Sequence, residues 1–107
     1  MLVAEIPENF AHRSLLLKLA RDYALVGMYP TPDFARSGGV IAYGRDITDP
    51  MRRMAHYVNQ IIKGAKPGDL PFEQPTRLHL VINLEAAKAL NLTIPPTLLA
   101  RADEVME

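Results

Sequence analysis

Side chains able to do chemistry are few in this sequence and widely separated. His12, His56 and His79 are the only histidines, and Ser14 and Ser37 the only serines. No two histidines fall at ligand spacing on one helix, so the pattern of a metal centre is missing. Neither serine sits in a nucleophile elbow, and no histidine and acid are placed to complete a hydrolase triad. Gly38-Gly39 with Gly44 fits neither the dinucleotide fingerprint nor the nucleotide-triphosphate loop, and reads as turns that end elements. Arg52-Arg53 offers a phosphate contact, but paired arginines on a wet helix face ordinarily serve solubility. The aromatic residues say more. Tyr29, Phe34 and Tyr43 fall at or just after the carboxyl ends of expected strands, where open α/β sheets bind ligands. Phe34 and Tyr43 are the candidate ligand contacts, and plain core packing is the competing reading.

These residues depend on the elements that carry them. Leu2–Ile6 reads as a short strand broken by Pro7. Ala11–Tyr23 reads as a helix, with Leu15, Leu16, Leu19, Ala20 and Tyr23 on one stripe. Leu25–Tyr29 and Val40–Tyr43 are apolar runs, read as strands buried on both faces. Between them Thr31 is placed to cap a short helix opened by Pro32 and closed by Gly38-Gly39. Asp49-Pro50 is expected to open the longest helix, its buried face formed by Met51, Met54, Ala55, Val58, Ile61 and Ile62, with Gly64 as its cap. Pro67-Gly68-Asp69 makes a turn, and Pro71 and Pro75 impose an extended arm up to Thr76. Leu78, Leu80 and Ile82 alternate as a strand. Asn83 caps a short helix that Asn91 closes in the left-handed conformation, and Thr97–Met106 is expected as a last helix. Strands alternating with helices imply an α/β fold, a mainly parallel sheet with flanking helices.

Length and composition narrow the function classes. The 107 residues suffice for a single small domain. Twelve basic and twelve acidic residues cancel, leaving no electrostatic footprint for nucleic acid or an anionic membrane. There is no cysteine, hence no disulfide framework or thiolate metal site. No apolar run approaches the ~20 residues of a membrane span. The amino terminus shows no signal-peptide core, so the chain as written is expected to stay in the cytoplasm.

Several stretches resemble one family. Gly38-Gly39-Val40-Ile41-Ala42-Tyr43-Gly44 is similar to its Gly-Gly-Leu-Met-Ser-Tyr-Gly segment. Arg52–Val58 with Ile61–Pro67 resembles its arginine-led helix and turn. Asp69–Thr76, Leu80–Leu84, Ala86–Leu90, Ile94–Pro96 and Leu98–Glu104 match it nearly residue for residue. The family is the ABC transporter substrate-binding proteins of the kind that resembles tryptophan and tyrosine uptake receptors. The resemblance runs from about residue 10 to the end. It implies a two-lobed type I periplasmic-binding-protein fold, with a small, often amino-acid ligand between the lobes. Closure of the lobes is read by an ABC permease; these receptors are not enzymes and carry no cofactor.

The sequence departs from the family in places. Ala42 stands where a serine is usual, removing a hydroxyl that could meet a ligand; Val26 replaces a common proline, and Asn91 a glycine. The match corresponds to about the last third of a member, so the chain is expected to be a single carboxyl-terminal α/β fragment, one partial lobe. Such a fragment is expected to bind amino acids weakly or not at all, and to cover its open edges and faces by forming a homo-oligomer. The alternative is a free-standing cytosolic interaction or regulatory module that kept the receptor fold.

Overall fold

The computed structural model describes every residue except 73, 75 and 76, so the last part of the expected extended arm lies outside the described residues. Helices α1 (Pro7–Ala11) and α2 (Arg13–Asp22) precede strand β1 (Met28–Tyr29), followed by α3 (Pro32–Arg36) and β2 (Ile41–Gly44). Helix α4 (Thr48–Ile62) comes next, then a 3-10 turn at Pro67–Asp69, β3 (His79–Asn83), α5 (Leu84–Ala89), α6 (Pro96–Leu99) and β4 (Glu104–Met106). The strands lie side by side in the order β1-β2-β3-β4. β1 and β2 run parallel, as do β3 and β4, while β2 and β3 are antiparallel. The fold is mixed α/β with a mostly parallel sheet.

The core forms on the face of the sheet that α3 covers. Tyr29, Ala42 and Val81 share that face by register and are at most 2% exposed. Phe34 of α3 lies on them with its ring stacked on Tyr29, centroids 5.1 Å apart. Burial pushes the Tyr29 phenol pKa up. Gly39 leaves room for that ring, since a Cβ there would meet it at 2.7 Å. Asn83 joins three elements at once. Its Oδ1 accepts from the Ala86 amide at 2.9 Å, capping α5 as expected. Its Nδ2 donates to the Ala35 carbonyl at 3.0 Å, tying α5 and β3 to α3.

Helix ends follow backbone chemistry where the sequence shows it. Gly64 has φ 102 and Asn91 has φ 53. Both sit at the left-handed position of a Schellman closure: Ala65 donates to Gln60, and Leu92 to Ala87. Ala24, φ 51, ends α2 in the same way without the freedom of glycine.

Several expectations are corrected. The strand over Leu2–Ile6 shrinks to one bridge, Leu2 with Met28, and the segment thought to break it is helix α1. Helix Ala11–Tyr23 starts at Arg13 instead, and strand Leu25–Tyr29 is reduced to its last two residues. The last helix stops at Leu99, and Glu104–Met106 is a strand. The cause is Asp103: its amide donates to the Leu80 carbonyl and its carboxylate accepts from the Leu80 amide, both at 2.9 Å, which fastens the chain to β3. Thr31 precedes α3 but makes no side-chain cap. At α4 the capping oxygen belongs to Asp46 and not to Asp49, accepting from the Thr48 amide at 2.9 Å.

β1 and β2 are not buried on both faces as expected, whereas β3 is, with Val81 on one face and Ile82 on the other. On the face away from α3, Met28, Tyr43, Leu78 and Val105 are each 39–46% exposed. The expected buried face of α4 is likewise open: Met51, Met54, Val58, Ile61 and Ile62 are all exposed, and α4 has no buried residue. This helix stands away from the sheet. The chain measures 56 × 31 × 19 Å, with a radius of gyration of 17.2 Å. A compact chain of this length has about 13 Å.

Candidate functional site

The carboxyl ends of β1 and β2 point the same way, and the chain leaves them at Pro30-Thr31 and Arg45-Asp46. Gly44 permits this arrangement, because a Cβ there would collide with the Pro30 carbonyl. Beyond these ends lies a concavity of about 530 Å³, lined by Glu5, Ile6, Phe10, Thr31, Arg45 and Ile47 among others. It occupies the place where open α/β sheets take ligands.

The lining offers one apolar wall and a few polar groups. Phe10, 45% exposed, supplies an aromatic face, and Ile6 and Ile47 extend it. Phe10 rests edge-on against Phe34, centroids 6.5 Å apart at 71°. Arg45 and Glu5 form an open ion pair at 3.6 Å, with about half of each side chain in solvent. A pair so exposed contributes little to stability and is free to re-form around a ligand's charges. The Thr31 Oγ1 is buried with no hydrogen-bond partner among the described residues. A buried hydroxyl in that state costs roughly 1–3 kcal/mol.

Phe34 and Tyr43 do not share a pocket. Phe34, 1% exposed, belongs to the core and touches lining residues of the concavity through its ring against Phe10 and its amide on the Thr31 carbonyl. Tyr43, 46% exposed, is on the opposite face of the sheet, one residue before Gly44. Neither lines the concavity at the strand ends. Ala42 is fully buried, so the hydroxyl missing there is missing from the core and not from an open surface. Thr31 and Arg45 were discoverable by the strand-end rule that singles out Tyr43, being within two residues of a strand terminus. Glu5, Ile6 and Phe10 gave no such signal, since long-range packing alone brings them here.

A second concavity of about 250 Å³ lies at the root of α4, where Arg45, Asp46, Arg77 and His79 meet. A third, about 330 Å³, is between α2 and α5 at the other end of the sheet. Among the described residues no group of three or more histidines or carboxylates is placed to hold a metal ion. No helix among them is long and apolar enough to cross a membrane.

Comparison with known proteins bears on the family and the fold. The family model for ABC transporter substrate binding protein matches residues 3–106. No curated protein matches the chain. A crystal structure of a conserved domain protein from Vibrio cholerae O1 biovar El Tor strain N16961 superposes with a TM-score of 0.80 at 26% identity, over 97% of this chain and 34% of that one. The ABC domain from Streptococcus pneumoniae, crystallised in complex with L-Trp, superposes with a TM-score of 0.83 at 23% identity, over 98% of this chain and 36% of that one. The chain thus spans about a third of the length of these solved structures.

Proposed function

Because this chain belongs to the ABC transporter substrate binding protein family, we propose that it forms one side of the binding cleft of a solute receptor whose ligand is a small, amino-acid-like molecule. The observation that carries this reading is the concavity at the carboxyl ends of β1 and β2, with its apolar wall and the open Arg45–Glu5 ion pair. An α-amino acid bears a carboxylate and an ammonium on one carbon, and Arg45 and Glu5 match those charges. Phe10, Ile6 and Ile47 then face its side chain. The L-Trp held by the Streptococcus pneumoniae structure is a ligand of this class.

In this reading the chain is a carboxyl-terminal α/β portion of a periplasmic receptor that delivers its solute to an ABC permease. It is a binding protein rather than an enzyme. Tyr43 is exposed on the other face of the sheet and is not a contact of this concavity, and Phe34 acts by holding the Phe10 ring in place. The exposed apolar residues of α4 and of the sheet give the chain reason to associate with another copy when no other surface covers them. With one side of the cleft only, affinity is weak.

An NMR titration of the 107-residue chain with L-tryptophan tests the site. The amides of Phe10, Thr31 and Arg45 are expected to shift, approaching saturation only at millimolar ligand. Micromolar affinity, or shifts confined to the α2/α5 groove at Leu17, Ala20 and Leu90, would overturn this assignment.

A further inference from the structure

We propose that Asp46, held by Arg36, is the positioning residue that sets the direction in which α4 leaves the sheet. This inference rests on the receptor reading for its purpose, since that direction decides what α4 brings to the cleft. It rests on geometry for its substance. β2 and β3 are antiparallel neighbours, and everything from residue 45 to residue 78 is the excursion between them. Only three residues, Arg45, Asp46 and Ile47, separate the last residue of β2 from the first of α4.

Asp46 uses both carboxylate oxygens there, and each points to a different element. Oδ1 accepts from the Thr48 amide at 2.9 Å and so fixes the first turn of α4. Oδ2 accepts from the Arg36 Nη2 at 3.2 Å. The same guanidinium reaches across to β4, donating to Glu104 at 2.8 Å and 3.5 Å. Arg36 extends from α3, which the core locks in place through Phe34 and Ala35. A single carboxylate therefore joins the helix start to a fixed point on the sheet. The Asp46 side chain is only 14% exposed, unlike most charged groups here. Surface ion pairs usually matter little, but a forked arginine among several carboxylates has defined geometry as well as charge. Its role here is orientation.

The returning segment has a matching tie. Asp103 accepts from the Leu80 amide at 2.9 Å and from the Arg77 Nη2 at 3.3 Å. Higher up, the Tyr57 hydroxyl donates to the Pro71 carbonyl at 3.0 Å. Asp46 is the one that bears on the outgoing strand.

The native chain has no cysteine, so spin labels can be placed cleanly. With Ala55→Cys on α4 and Lys88→Cys on α5, pulsed electron spectroscopy reads the distance between helix and sheet. The parent is expected to give one narrow distribution. Asp46→Ala, which removes cap and anchor, should at least double its width. Arg36→Ala removes the anchor alone and should broaden it too, while Asp46→Asn, which keeps the capping oxygen, should fall between. Circular dichroism and thermal unfolding report whether the sheet survives in each variant. A width unchanged in Arg36→Ala with the sheet intact overturns the proposal, as does a broad distribution in the parent. If Arg36→Ala unfolds the chain, Arg36→Gln with Asp46→Asn decides by the same criterion. The L-tryptophan titration is a separate reading: broadened distances without ligand shifts keep the clamp and remove the receptor.

Discussion

The sheet with its small helices and the α4 arm are built from equally apolar sequence, yet they fold to opposite ends. In the sheet the apolar residues find one another. Phe34, Tyr29, Ala42 and Val81 are at most 2% exposed and make a continuous core. In α4 the spacing of Met51, Met54, Val58 and Ile61 is as regular, but each of them is 41–59% exposed. Periodicity tells which face a helix wants to bury and not where the covering surface is. Among the described residues the α4 stripe finds no such surface, and every one of these side chains stays open.

The contrast can be broken most forcefully at Gly44. Gly44→Ala drives a methyl into the Pro30 carbonyl and should cost more than about 4 kcal/mol, enough to unfold a small domain. Phe34→Ala empties the centre of the core and should cost about 3–5 kcal/mol by urea unfolding. Asn83→Ala loses the α5 cap and strands the buried Ala35 carbonyl; a loss of about 2 kcal/mol is expected. Acid sharpens the comparison at the junction of the two regions. The hydrogen bonds from Thr48, and then the Arg36 guanidinium, lower the Asp46 pKa from 3.8 to about 2. A lowered folded pKa means stability that is present above about pH 4 and lost as pH falls toward 2. That loss is on the order of 1 kcal/mol and should vanish in Asp46→Asn. The smallest effect belongs to the arm. Val58→Lys should change stability by no more than about 0.5 kcal/mol, because the side chain is already in water, and it should weaken self-association seen by light scattering.

How much of this was legible depended on whether the signal was local. Asn83, Gly64 and Asn91 were readable because a helix end needs a particular side-chain oxygen or a left-handed residue, and few residue types supply either. The last strand was not, because Leu98, Leu99, Ala102 and Val105 fit a helix until Asp103 binds β3, a contact 23 positions away. Thr31 and Asp49 were plausible caps by position, yet the hydroxyl of one turned inward and the other lost its place to Asp46. The antiparallel pairing of β3 with β2 was invisible as well, since alternation of helix and strand implies parallel neighbours. The candidate site was half legible. Strand ends led to the right end of the sheet, beside Thr31 and Arg45, but Tyr43 lies on its other face, and Glu5 and Phe10 arrive from a region far away in sequence.

Hydrogen exchange followed by mass spectrometry, at concentrations low enough to keep the chain monomeric, tests the division into core and arm most directly. Peptides covering Ile41–Gly44 and His79–Asn83 should exchange slowest, through global unfolding. Those covering Met54–Ile62 should exchange orders of magnitude faster, although helical, because nothing buries them. Equal protection in α4 and the sheet would contradict the account, since it would mean that the arm already lies against the body of its own chain.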